Sequence, residues 1–275
     1  MYEIIIDCTN QCFMNCKYCG TDSAVHGSQY LDESEIVKLI NIANRYHMQV
    51  FLGGGCFFCH PDWIEILDYN RQIGASVYVD VPLTEPVIEA LQKYSPEKYN
   101  YSPSVSLWGV GKTHDILSGR KSFYLFDSYQ NTVGPDFRCS FVITNDLLNQ
   151  KEELIAFINK LEHCQQIYFH RLMPTGRCNR DNLPRSADLL CFKEDILTCV
   201  KFPEILKFHH TLCAQPCRAY RKRIFIDWAG NIFGCGWVDL NSKTIANIKD
   251  VDIEEIICQS IDGQFDGQIV CPICE

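Results

Sequence analysis

The sequence has no N-terminal targeting segment. Met1 to Asp7 holds only the short apolar run Ile4-Ile5-Ile6, with no basic flank and no small-residue cleavage site. No apolar run approaches the ~18 residues of a membrane helix. Basic blocks are missing too: 25 Lys and Arg stand against 34 Asp and Glu, a net charge of −9, which makes nucleic acid a poor partner. There is no internal repeat and no low-complexity tract. The eight histidines offer no paired metal spacing, and adjacent His209 and His210 cannot share a helical face, so they read as loop or surface residues. These absences set aside secreted, membrane-spanning and nucleic-acid-binding classes. A cytoplasmic protein, with neither membrane nor nucleic acid as partner, is the expectation.

Cysteine, by contrast, is plentiful. The chain carries 17 in 275 residues, an odd count, and at 47% hydrophobic it can build a core without disulfides. In a reducing compartment, clustered cysteines point to metal or catalysis.

Short β-rich runs alternate with helical patterns. Strands are expected at residues 2–7, 49–52, 76–81, 104–107, 137–143 and 166–172, and helices at 33–46, 63–73, 149–164 and around 192–200. Six strand–helix alternations argue for a parallel α/β sheet, open or curved into part of a barrel, with chemistry at the carboxyl ends of its strands. After Pro174 the pattern changes. Arg223 to Phe233 reads as a hairpin, giving boundaries at 1–209 for the core and 210–275 for a small C-terminal module.

Two cysteine groups carry the chemistry. Cys12, Cys16 and Cys19 form C-x3-C-x2-C in the loop after the first strand. Three thiolates in one loop can wrap a single ion or cluster, and a [4Fe–4S] cluster on three cysteines keeps one iron open. A closed zinc site wants a fourth ligand, for which Cys8 is the nearest candidate. The second group is Cys217, twelve residues, Gly230, four residues, Cys235, then Cys271-Pro-Ile-Cys274. The turn at Gly230 brings the strands back, so two sulfurs meet at one end of the hairpin. By itself this four-thiolate pattern fits zinc as well as iron–sulfur. A zinc-binding structural or regulatory protein is therefore the rival reading.

C-x3-C-x2-C with Tyr18 before the last cysteine, preceded by Asn10 and Gln11 and following strand one of a six-fold β/α chain, resembles the radical S-adenosylmethionine (radical SAM) superfamily. The resemblance implies a partial (βα)6 TIM-like barrel. It also implies a [4Fe–4S] cluster on Cys12, Cys16 and Cys19 whose open iron binds SAM. Reductive cleavage of SAM then gives a 5′-deoxyadenosyl radical that takes a hydrogen from substrate. Gly53-Gly54-Gly55 resembles the family's Gly-Gly-Glu stretch beside the SAM amino group, with Cys56 where an acid is usual. Ser106 matches a ribose or carboxylate contact, and Leu172, within Arg171 to Arg177, flanks the adenine. Tyr18 completes the implied SAM site.

The C-terminal pattern resembles the SPASM/twitch extension, in the short one-cluster form seen in the dehydrogenase of butirosin biosynthesis. That likeness implies a module of β-hairpin plus helix and a second [4Fe–4S] cluster on Cys217, Cys235, Cys271 and Cys274, with Cys213 as an alternative ligand. It further implies an electron donor such as flavodoxin or ferredoxin as partner.

Most of the remaining cysteines read as small core hydrophobes, Cys164, Cys191 and Cys199 within helices. Cys56 and Cys139 are expected near strand ends, where either thiol could give a hydrogen atom to a substrate radical. Asp115 and Asp227 read as turn or cap carboxylates. The reaction expected is oxidation or epimerisation of a small polar substrate such as an aminosugar or aminocyclitol. The alternative is modification of a ribosomally made peptide, against which the shortness of the chain ahead of strand one is the argument.

Overall fold

In the computed structural model, residues 2–213, 222–236 and 244–262 are described. In chain order they form β1 (Glu3–Thr9), α1 (Glu33–Arg45), β2 (Gln49–Gly54), α2 (Trp63–Ile73), β3 (Val77–Pro82), α3 (Glu85–Lys93), α4 (Pro96–Tyr99) and β4 (Tyr101–Leu107). There follow α5 (Lys112–Ser118), α6 (Phe126–Val133), β5 (Phe137–Ile143), α7 (Asn145–Asn149), α8 (Lys151–Ile158), β6 (Cys164–Arg171), α9 (Ser186–Cys199) and β7 (Leu206–Phe208). The last elements are β8 (Arg223–Ile226), β9 (Asn231–Phe233), β10 (Ala246–Asn247) and α10 (Ile253–Ile261). All strands join one sheet in the order β10-β9-β8-β1-β2-β3-β4-β5-β6-β7. From β8 to β7 every pairing is parallel, which gives the partial TIM-like barrel.

The outer face of the sheet carries Ile4, Ile6, Leu52, Val77, Val79, Val105 and Phe141, all buried under helices. Around β5 to β7 this layer is aromatic: Phe141 stacks on Phe169 at 5.7 Å, and Phe169 on Phe208 at 5.0 Å. The inner face is polar, with Asp7, Tyr78, Asp80, Ser104, Arg138 and His170 alternating with the apolar outer set. Arg138 lies 4.8 Å over the Tyr78 ring, two strands away. Arg223 of β8 helps to hold His170 of β6 neutral. In the sheet order these strands are far apart, so such proximity requires the sheet to curl until β6 and β8 face each other across a lumen.

Expected and observed elements coincide for β5 and α2. Helix α2 stops at Gly74, whose φ of 66° suits a residue without Cβ. The expected helix at 149–164 is a correction. Thr144 caps α7 by accepting from the Leu147 N–H, and the chain breaks at Gln150. The Gln150 amide instead brackets Val110, accepting from its N–H and donating to its carbonyl, both at 2.9 Å. Helix α8 ends at Ile158, and Cys164 opens β6 rather than closing a helix. Cys191 and Cys199 are exposed on α9, not core. His209 is buried, its Nδ1 against Thr211, rather than on the surface.

The hairpin forms as expected. β8 and β9 pair antiparallel about Gly230, with φ of 82°. β8 also pairs in parallel with β1, so the hairpin continues the sheet of the core instead of starting a separate layer. Helix α10, capped by the Asp252 carboxylate on the Glu254 N–H, buries Ile253 and Ile257.

Candidate active site

The loop after β1 is held by backbone contacts on every side. The Cys12 N–H donates to Ala24 O, the Lys17 N–H to Leu117 O, and the Arg177 N–H to Cys19 O. Glycines make this approach possible: a Cβ on Gly55 would lie 2.0 Å from Gln11 O, and one on Gly176 only 2.2 Å from Cys19 O. The turn carrying Cys12, Cys16 and Cys19 is thereby clamped between the ends of β2, α5 and β6.

Each sulfur meets a donor or a positive charge. The Met14 N–H lies 3.4 Å from Cys12 Sγ, and Thr21 Oγ1 lies 3.4 Å from Cys19 Sγ. Cys16 accepts from the Trp108 indole and lies in the field of Arg177. Burial pushes the Cys12 and Cys16 thiols up to about 12, so ionising them needs a compensating metal charge. Among the described residues, no three His, Cys, Asp or Glu side chains converge closely enough to hold one metal ion. A cubane distributes its thiolates over separate irons, a wider arrangement than the shell of a single zinc ion. Three sulfurs with N–H and guanidinium partners thus fit an anionic thiolate cluster.

The implied SAM contacts divide. Gly54 and Gly55 are glycines for packing reasons, since Cβ atoms there would strike Thr9 O at 2.7 Å and Gln11 O at 2.0 Å. Gly53 alone faces open space, its nearest hypothetical neighbour being Asp80 Cβ at 4.0 Å. Ser106 is half-buried on the lumen side and 3.5 Å from the Ser140 hydroxyl. Tyr18 tilts against Trp108 with ring centroids 6.3 Å apart. Leu172 is buried just beyond β6.

Of the two hydrogen-donor candidates, Cys139 is corrected in its placement. Cys139 is the third residue of β5, not near its end, and shares the helix-facing side with Phe137 and Phe141. Its thiol lies beside that of Cys164, and Tyr129 is close by. Cys56 is fully buried, its thiol beside that of Cys59. Strand parity turns Cys139 away from the lumen, while Cys56 lies just past the end of β2 with no exposed surface.

In the auxiliary region, Cys235 is buried just after β9, and Cys213 is half-buried with its thiol 3.8 Å from Phe208 O. Cys217, Cys271 and Cys274 lie outside the described residues. Asp227 and Asp115 are turn carboxylates as expected: Asp227 accepts from Ala229 and Asn231, Asp115 from Ser122 and Phe123. Sequence reasoning missed Trp108, Arg177, Asp7 and Asp80 as site residues, because only the fold brings them to the loop or the lumen.

Residues 6–104, which include the three-cysteine loop, match the Radical SAM superfamily. No curated protein matches the sequence. Among solved structures, this chain is similar to Streptococcus suis SuiB bound to precursor peptide SuiA. The TM-score is 0.75 at 17% identity, covering 93% of this chain and 64% of SuiB. SuiB bound to S-adenosylmethionine gives 0.73 at 18%, covering 93% and 65%. The protein anSMEcpe with bound AdoMet gives 0.66 at 12% identity, covering 93% of this chain and 80% of that one. The chain therefore spans less than two thirds of the length of SuiB. No helix among the described residues is long and apolar enough to cross a membrane.

Proposed function

We propose that this protein is a radical SAM enzyme that abstracts a hydrogen atom from a small polar substrate held in the barrel lumen and brings about its two-electron oxidation. A cluster on Cys12, Cys16 and Cys19 supplies, when bound, the electron that splits SAM into methionine and a 5′-deoxyadenosyl radical. The chain holds those sulfurs rigidly, and Trp108, Thr21 and the Met14 N–H donate to them. The single observation behind the reading is this donor-lined cysteine loop at the mouth of a polar lumen. Ser104, Ser106 and Ser140 supply hydroxyls there, and burial beside Arg223 moves His170 down to about 4, leaving it neutral to donate and accept at pH 7. Oxidation is favoured over epimerisation because Cys139 faces the helices and Cys56 has no exposed surface. The second electron would leave through an auxiliary cluster at Cys235 to a flavodoxin- or ferredoxin-like partner.

A peptide substrate is the second reading, favoured by a fold shared with SuiB, which is solved bound to a precursor peptide.

Anaerobically prepared protein should be brown, absorb near ~400 nm and carry about eight irons if both clusters form. With SAM and dithionite it should release 5′-deoxyadenosine. Replacing Cys12, Cys16 and Cys19 by Ala should remove about four irons and all of that product. Colourless protein with stoichiometric zinc would overturn the proposal in favour of a zinc-binding protein. For the outcome, oxidation lowers product mass by one H2, whereas epimerisation in D2O brings in solvent deuterium.

A further inference from the structure

Three adjacent strands place Asp7, Gly53 and Asp80 in one row on the lumen face. β1 pairs Asp7 with Gly53, and β2 pairs Leu52 with Val79, which sets Gly53 beside Asp80. The glycine leaves the space between the two carboxylates open, since only Asp80 Cβ comes as near as 4.0 Å to where its Cβ would be.

Asp7 is 4% exposed, and its Oδ2 is buried with no hydrogen-bond partner. Burial raises its carboxyl well above the ordinary range, with the charges of Asp227 and Asp80 adding to the effect. Asp80 opens onto the lumen, where enclosure by protein raises it to about 6. Among the described residues, no cation neutralises either. Arg223 is committed to Glu3 at 2.7 Å, two levels further down the barrel. Arg138 lies over Tyr78 and donates to Gln165. Asp227 is already saturated by the N–H groups of Ala229 and Asn231 and the Asn231 amide. An unpartnered buried carboxylate is costly, and a second, lumen-exposed carboxylate across an open glycine makes the row a place for a ligand's positive charge.

We propose that Asp7 and Asp80 grip a cationic nitrogen of the substrate, an amine or guanidinium, seated over Gly53. The assignment deepens the proposed function and rests on it for the word substrate. SAM also carries an ammonium. The row, however, lies one level beneath Ser106 and Ser140, inside the barrel rather than at the rim where the cysteine loop begins. That depth favours the substrate.

The test is equilibrium binding to the full chain with its clusters reconstituted and SAM present. The probes are glucosamine against glucose, and a blocked lysine amide against blocked norleucine amide, at matched ionic strength. At least one cationic probe should bind tenfold or more tightly than its neutral counterpart, and D80N should abolish that preference. Glucosamine ahead of blocked lysine supports a free small amine; the reverse supports the same site reading a peptide side chain. No preference in the wild type, or a preference that survives both D80N and D7N, overturns the proposal. So does an equal loss of SAM affinity in D80N, which would assign the carboxylates to SAM. If 5′-deoxyadenosine never forms while the cationic preference stands, the radical function has failed and the cation site has not.

Discussion

His114 shows how one buried side chain makes stability depend on pH. It is fully buried, its Nδ1 accepts from the Trp108 N–H at 3.3 Å, and its Nε2 lies 3.1 Å from the Ser122 hydroxyl. Burial lowers its pKa from 6.5 to about 4. Between those values the unfolded chain binds the proton and the folded chain does not, so stability falls as pH drops from about 6.5 towards 4. At pH 5 the loss is about 2 kcal/mol relative to pH 7. Asp80 and Asp7, both raised, change in the opposite direction, but they contribute equally to the wild type and to H114Q. Urea midpoints at pH 7 and pH 5 should therefore fall less for H114Q; parallel falls would refute the assignment. Trp108 acts through Cys16. W108F keeps an aromatic ring against Tyr18 and removes the N–H, so the cluster potential should become more negative. An electron paramagnetic resonance titration reads this directly, and an unchanged potential would leave the indole with a packing role only.

At the scale of elements, the cysteine loop behaves as part of the sheet ends rather than as a free connection. Its position depends on glycines of neighbouring elements, above all Gly55. Overpacking at that contact should cost G55A about 1–3 kcal/mol and, because the loop must move, lower the iron bound on reconstitution. Gly74 is the control. A Cβ there meets nothing within 4 Å but its φ is 66°, so G74A should lose stability with iron content unchanged. Equal iron in both variants would mean that the loop does not depend on the Gly55 contact. The expected helix at 149–164 fails for a comparable reason. Apolar spacing reports only the buried face, whereas Gln150 is drawn out of the helix by Val110, forty residues earlier.

For the molecule as a whole, what matters is how the sheet closes. Glu3 and Arg223 form an ion pair at 2.7 Å joining β1 to β8, with side chains 6% and 20% exposed. Removing one partner leaves a buried charge, so E3Q should cost about 3–5 kcal/mol, while the double variant E3L/R223M should recover most of it. Chemical denaturation distinguishes the cases: additive losses in the double variant would mean that the pair is not coupled. By contrast, Arg45–Glu254 links α1 to α10 with Arg45 60% exposed, and its loss should shift stability by less than about 1 kcal/mol. The C-terminal helix is held by Ile253 and Ile257 instead.

The sequence by itself determined what is local. The three thiols of the cysteine loop lie within eight residues of one another, and the β/α alternation, the hairpin about Gly230 and the extents of α2 and β5 follow from apolar spacing and turn chemistry. It could not decide which face of a strand looks inward. In a parallel sheet covered by helices, both faces are substantially buried, so alternation is weak and parity depends on register with strands distant in sequence. Register turned Cys139 outward towards Tyr129 and Cys164, set Asp7, Gly53 and Asp80 in one row, and curled β6 round to Arg223. Only the tertiary structure could bring the Trp108 indole and the Arg177 guanidinium to Cys16, because their hold on that sulfur comes from the packing of three strand ends and not from any spacing along the chain.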